Sequence, residues 1–127
     1  MIAKLKGLVD SIGENTAVID VGGVGYQIFA SAKTLRTFPG VGEPVEVLIE
    51  THVREDHIHL YGFVSGVELD MFRLLTSVQG VGTKVALAIL STLDPNALQA
   101  ALISGDKAAI TSAPGVGPKL AARILNE

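Results

Sequence analysis

The sequence predicts an α+β multidomain protein in which a five-stranded β-barrel of the OB type, residues 1–64, precedes an all-α domain, residues 65–127. Apolar residues alternate with polar ones through the first 63 residues, which is the period of half-buried strands. From Val67 they recur every three or four residues, the period of amphipathic helices. Because domains of about 60 residues are marginal alone, self-assembly is expected.

The strands of the first domain follow one another at short intervals. A Gly22-Gly23 turn joins the second and third strands into a hairpin. Residues 31–38 are predicted to form a helical turn, and Arg54-Glu55-Asp56 forms a charged tip between the last two strands. The predicted inward positions are Ala3, Leu5, Gly7, Val9, Ala17, Ile19, Val21, Val24, Tyr26, Ile28, Val45, Val47, Ile49, Thr51, Val53, Ile58 and Leu60. Five short strands in about 60 residues favour a small closed barrel.

The helices of the second domain are separated by glycine and proline signals. Asp94-Pro95 opens one helix as an N-cap followed by proline, Gly105-Asp106 opens a short segment, and Pro118 opens the last helix. The predicted apolar faces carry Met71, Phe72, Leu74, Leu75, Val78, Val85, Ala86, Ile89, Leu90, Leu93, Leu98, Leu102, Ile103, Leu120, Ala121, Ile124 and Leu125.

Composition restricts the class of protein. The net charge is −3, and residues 66–127 carry as many acidic as basic side chains, which argues against binding nucleic acid as a polycation. The chain contains no cysteine, and no apolar run has the roughly 18 residues of a spanning helix. The N-terminus lacks the apolar core of a secretory signal. We expect a soluble protein of the cytosol with no membrane partner.

One segment of the helical half occurs twice. Residues 78–86 and 113–121 share Gly, Val, Gly and Lys at equal spacing, each between the end of one helix and the start of the next. Such a glycine turn directs backbone N–H groups outward at a helix N-terminus, where the helix dipole is positive. The repeat therefore predicts two phosphate sites, with Arg123 one turn beyond the second lysine. The predicted phosphate-binding residues are Gly80, Val81, Gly82, Lys84, Gly115, Val116, Gly117, Lys119 and Arg123.

Other interpretations of these glycines are less consistent with their surroundings. A single copy would equally fit a tight helix connection, but duplication with lysine at the same offset favours phosphate binding. The P-loop spacing is absent, and neither copy follows a strand. Gly22-Gly23-Val24-Gly25 follows a strand but runs into another strand, which excludes a Rossmann turn.

The tandem helix, Gly-Val-Gly, helix pattern after a small barrel resembles the RuvA family of helix-hairpin-helix proteins. The resemblance rests on residues 21–26, on residues 53–63 and on the two glycine turns, in the family's order. It implies sequence-independent binding of four-way (Holliday) DNA junctions by a homotetramer or octamer, in recombination and repair. It also implies the RuvB hexameric ATPase and the RuvC resolvase as partners, and no enzymatic activity or cofactor in this chain.

The acidic tip and the histidines are interpreted in this light. By composition alone, Glu55 and Asp56 fit a solvated turn, whereas the resemblance implies that they form the acidic pin at the junction centre. Two carboxylates near phosphates repel them and so disfavour wrong docking. His52, His57 and His59 form an incomplete metal set, and we expect surface or interface histidines and no metal. No catalytic triad is indicated.

Two competing functions fit the sequence less well. A helix-hairpin-helix subunit of a repair nuclease or glycosylase would need an acidic cluster or a catalytic lysine beside the hairpins, and residues 66–127 offer dispersed acids. A single-strand binder would need stacking residues on the barrel, where Tyr26, Phe29, Tyr61 and Phe63 mostly fit core positions.

RuvA-like chains continue beyond the last helix through a linker into a three-helix domain that contacts the motor. This sequence ends at Ile124-Leu125-Asn126-Glu127. Without that domain, we expect junction binding to persist and stable recruitment of RuvB to be lost.

Overall fold

The computed structural model describes residues 1–126, and Glu127, the last residue of the predicted second domain, lies outside the described residues. The chain forms two compact units, one from Met1 to Leu69 and one from Asp70 onward. The division falls inside the helix Gly66–Ser77. Glu68, in the first turn of this helix, is hydrogen-bonded to Thr34 within the first unit. The domain bounds 1–64 and 65–127 stay a prediction.

The first unit is a closed barrel, which confirms the predicted fold class. Its strands are β1 (Lys4–Ile12), β2 (Thr16–Val21), β3 (Val24–Phe29), β4 (Pro44–Val53) and β5 (Ile58–Phe63). They lie in the order β1-β2-β3-β5-β4, and β1 pairs antiparallel with β4 to close the barrel. Between β3 and β5 the pairing is parallel, with Phe29 beside Tyr61. Helix α1 (Ala32–Arg36) confirms the predicted helical turn.

The predicted Gly22-Gly23 turn joins β2 to β3. Both glycines have positive φ, 61° and 93°, and Asp20 Oδ1 accepts a 2.7 Å hydrogen bond from the Gly23 N–H. The left-handed conformation at both central positions is that of the hairpin turn whose twist matches the strands.

The barrel core contains seven of the seventeen predicted inward residues, and three more, Val21, Tyr26 and Val45, pack against it partly buried. Its members are Leu5, Ala17, Ile19, Ile28, Ala30, Leu35, Val47, Ile49 and Leu60. The prediction was wrong for four positions at strand ends, which are exposed: Ala3, Val24, Val53 and Ile58. Val53 and Ile58 pair with each other at the outer end of the β4–β5 hairpin, where apolar side chains have no barrel interior to fill.

One carboxyl group is buried in the first unit. Glu68 is 6% exposed, and its Oε2 accepts a 2.6 Å hydrogen bond from Thr34 Oγ1 on α1. Burial raises the pKa of Glu68 above its usual 4.5, against the opposing effects of the Thr34 hydroxyl and the Val64 backbone. The hydrogen bond to α1 is therefore made by a carboxyl group whose ionisation is disfavoured.

The helical elements are α2 (Gly66–Ser77), α3 (Thr83–Thr92), α4 (Pro95–Ser104), α5 (Lys107–Thr111) and α6 (Pro118–Leu125). The core of the second unit includes Phe72, Leu75, Ile89, Leu90, Leu98, Ile110 and Ile124. Two residues predicted on apolar faces are exposed, Leu74 of α2 by 42% and Ile103 near the C-terminal end of α4 by 82%, so those predictions were wrong. Within residues 1–126 no single helix is long and apolar enough to cross a membrane, and only α3 and α4 together, bent by 98°, meet that standard of length and composition.

Candidate nucleic-acid interface

The two predicted glycine turns lie in matching places, between α2 and α3 and between α5 and α6. Gly80 and Gly115, the first glycine of each turn, have φ of 92° and 85°, a region that side chains other than glycine rarely adopt. The valines that follow are buried, and their amides donate to the carbonyls of Val78 and Ala113. Val81 and Val116 thus anchor the turns from inside, and their side chains do not face solvent.

The second glycine of each turn has a backbone conformation that does not require glycine. Gly82 and Gly117 have φ of −86° and −88° with ψ near 180°, an extended conformation open to any residue. A Cβ at either position would meet no described atom within 4 Å. The fold therefore tolerates a side chain at both positions, and glycine is suited there to the close approach of a ligand to the backbone.

The helices that follow these turns differ from the others at their N-termini. Gly82 and Gly117 are the N-caps of α3 and α6, and neither offers a side-chain hydrogen bond. The first turns of the other described helices receive one from a serine or aspartate: Ser31 in α1, Ser65 in α2, Asp94 in α4 and Asp106 in α5. An uncapped helix N-terminus presents unpaired amides and the positive end of the dipole, which suits an anion.

Lysines add charge at the same two places. Lys84 and Lys119 each occupy the second helical position, and both are exposed. A cation at a helix N-terminus is unfavourable to the helix, and so are amides without hydrogen-bond partners. An anion bound between the lysine and the amides would offset both costs. The second turn has one amide fewer because Pro118 begins α6.

The two hairpins pack against each other reciprocally. A Cβ at Gly80 would lie 3.4 Å from Leu120 Cδ1, and one at Gly115 would lie 3.9 Å from Val85 Cγ2. Val85 and Leu120 hold equivalent places in the repeat, so each glycine turn faces the helix that follows the other turn. This exchange of contacts gives the two glycine turns similar neighbours.

Arg123 links the two hairpins. Its Nη1 donates a 2.9 Å hydrogen bond to the carbonyl oxygen of Gln79, the residue before Gly80. Arg123 is nevertheless exposed. It was predicted as an additional phosphate ligand, and its position on α6 adds a structural contact that the repeat did not indicate, since the equivalent residue of the first hairpin is Ala88.

The acidic tip lies in the other unit, at the turn between β4 and β5. Glu55 and Asp56 are exposed, and the Arg54 N–H donates to the His57 carbonyl across the turn at 2.8 Å. Asp56 Oδ1 lies 3.8 Å from His57 Nε2. Across residues 1–126, no group of three or more histidines and carboxylates has the arrangement of a metal site.

Comparisons with known proteins agree with this description. Residues 1–62 match the family model of the RuvA N terminal domain, and residues 72–127 match that of the SAM-like helix-hairpin-helix tandem. Over all 127 residues the chain is 60% identical to a protein of Methylobacterium radiotolerans and 58% identical to proteins of Methylorubrum populi and a Bradyrhizobium species. All three are named Holliday junction branch migration complex subunit RuvA, and the chain spans 61–62% of their length.

Proposed function

Because the chain belongs to the RuvA family, we propose that it binds four-way DNA junctions through their phosphate backbones. The observation that carries this proposal is the pair of uncapped helix N-termini, each with an exposed glycine and lysine, in reciprocally packed hairpins. Two such sites grip successive phosphates of a strand without reading bases. The phosphate ligands are the amides of the two turns other than those of Val81 and Val116, with Lys84, Lys119 and the exposed part of Arg123.

The acidic tip completes the proposal. Glu55 and Asp56 repel phosphates, so they disfavour docking of an intact duplex over the tip and favour the open centre of a junction. The protein is proposed to act as a homotetramer or octamer in the bacterial cytoplasm, and to present the junction to the RuvB ATPase, with RuvC as a further partner. In this scheme the chain has no catalytic activity of its own. Family membership supports this function over that of a nuclease or glycosylase subunit.

The proposal predicts that Lys84→Ala/Lys119→Ala loses junction affinity and salt dependence together. The slope of log Kd against log salt should flatten by about one for each phosphate that the variant no longer neutralises. Fluorescence anisotropy with a labelled four-way junction and a linear duplex of equal length, at several salt concentrations, measures both quantities.

Lys107→Ala is the matched control, because Lys107 is an exposed lysine at the start of α5, a helix that Asp106 already caps. It should bind like the unaltered protein. Equal effects of Lys107→Ala and the double variant, or equal affinity for duplex and junction, would contradict the proposal.

A further inference from the structure

Five rings form a continuous row in the barrel unit, beside the acidic tip; Tyr61 is buried and the other four are partly exposed. His57 stacks on His59 with ring centroids 3.9 Å apart and planes 10° apart. The ring centroids of His59 and Phe29 are 4.9 Å apart, and those of Phe29 and Tyr61 are 5.7 Å apart. The centroids of Tyr61 and His52 are 5.1 Å apart. The function proposed above gives these rings no role.

Strand geometry explains why the rings lie together. Alternate residues of β5 project to the same face, so His59 and Tyr61 lie on one side of the strand while Leu60 enters the barrel core. His57 precedes the strand and stacks on His59, whereas Tyr61 is buried. His52 of β4 pairs with His59, and Phe29 of β3 pairs with Tyr61, which brings their rings to the same surface. The row therefore runs from the barrel wall to the residue next to Asp56.

The outer end of the row is accessible. The His57 side chain is 37% exposed, while its Nδ1 is buried and has no hydrogen-bond partner among the described residues. Its Nε2 comes no nearer to Asp56 Oδ1 than 3.8 Å. The ring is thus positioned mainly by stacking on His59, an interaction that another planar ring can extend.

The charges around the row select for one part of a nucleotide. Glu55 and Asp56 repel the phosphate, whereas the uncharged base can lie flat on imidazole and aromatic faces. At the other end of the row, burial and the Arg54 guanidinium lower the pKa of His52, against a smaller opposing effect of Glu50. A surface of ring faces beside two carboxylates favours a base over a backbone.

We propose that this ring row, with His57 at its exposed end, is a stacking site for an unpaired nucleobase of the bound junction. This inference rests on the proposed function, since the two hairpins hold the DNA. Stacking on aromatic side chains tolerates every base, so the site preserves sequence independence. It distinguishes unpaired from paired nucleotides, which charge repulsion alone does not.

The test compares two four-way junctions that differ at one crossover nucleotide, an unpaired thymidine in one and an abasic residue in the other. The protein should bind the thymidine junction more tightly by about fivefold or more, the lower range of the effect of removing one base from an aromatic stack. His57→Ala should bring the ratio close to one, and His57→Phe should preserve it. Ile58→Ala is the control, because Ile58 is exposed on the opposite face of the same hairpin.

Three outcomes overturn the inference. Equal binding of both junctions by the unaltered protein excludes the stacking site while leaving the hairpin proposal intact. A ratio that His57→Ala leaves unchanged places the contact elsewhere, and a lower molar mass of the His57→Ala protein in light scattering assigns the rings to an interface between copies. If even a fully paired junction fails to bind the unaltered protein, the proposed function itself is wrong.

Discussion

Gly82 and Gly117 make the phosphate sites testable at the scale of single residues, because a side chain fits there without strain. The double variant Gly82→Asp/Gly117→Asp should be as stable as the original protein or more so by a few tenths of a kcal/mol, since aspartate accepts hydrogen bonds from the helix amides. The same carboxylates occupy the proposed phosphate positions. Junction affinity should therefore fall at least tenfold while the melting temperature holds, as measured by anisotropy and thermal denaturation.

Asn96→Asp is the control for added charge, because Asn96 is an exposed residue in the first turn of α4, which Asp94 already caps. It should leave junction affinity nearly unchanged. A stable Gly82→Asp/Gly117→Asp protein with full affinity would refute phosphate binding at these amides.

Glu68 gives a prediction about pH and stability. Its carboxyl group has a raised pKa in the folded chain, so folding favours the protonated form. The free energy of unfolding should fall as the pH rises from the usual 4.5 through the folded pKa, and then stay lower. Glu68→Gln keeps an oxygen for the Thr34 hydroxyl and removes the charge, and should raise the melting temperature at pH 8 but not at pH 4. A variant that melts lower at pH 8 would show that the ionised carboxylate stabilises the fold.

At the scale of elements, the hydrogen bond from Arg123 to Gln79 connects α6 with the first hairpin. We expect Arg123→Met to weaken junction binding about tenfold, the size of the effect of deleting a charge-assisted hydrogen bond. Because the Arg123 side chain positions the first hairpin, the effect should be non-additive with Lys84→Ala in a double-mutant cycle. If the effects of Arg123→Met and Lys84→Ala on junction affinity are additive, and Arg123→Met is coupled to Lys119→Ala alone, Arg123 makes only a local phosphate contact.

Hydrophobic periodicity and helix-start residues predicted the strands and helices well. Alternation located the strands, and Asp94-Pro95, Asp106 and Pro118 mark helix starts that the structure confirms. Alternation reports which face a residue occupies and not where the barrel interior ends, which is why Val53 and Ile58 were placed wrongly. Ile103 failed for a related reason, because a helical period cannot show how far a neighbouring element reaches.

The candidate site was predicted in part. The repeat locates both glycine turns and both lysines, and the glycine conformations of Gly80 and Gly115 agree with a turn. Buried anchoring by the valines, the Arg123 bridge and the reciprocal packing depend on residues that are distant in sequence, which a repeat does not reveal. The ring row required the strand register, because Phe29 and Tyr61 meet only through the parallel β3–β5 pair.

At the scale of the whole molecule, a chain of net charge −3 is proposed to bind a polyanion. The fold makes this consistent by placing the acidic excess in the barrel unit and by presenting amides and lysines together at two helix ends. Local geometry therefore replaces overall charge as the source of attraction.

Closure of the barrel has a consequence for how the chain is made. Strand β1 is among the first residues synthesised, yet one of its two partners is β4, which brings Lys4 beside Leu48. Until β4 has emerged from the ribosome, that flank of β1 is an open edge able to pair with any passing strand. Lys4 and Lys6 project from this edge as exposed charges, a common protection against aggregation. Once the barrel closes, Lys4 Nζ lies 3.7 Å from Glu46 Oε1. The lysine that protects the nascent chain from aggregation therefore forms an ion pair between β1 and β4 in the folded barrel.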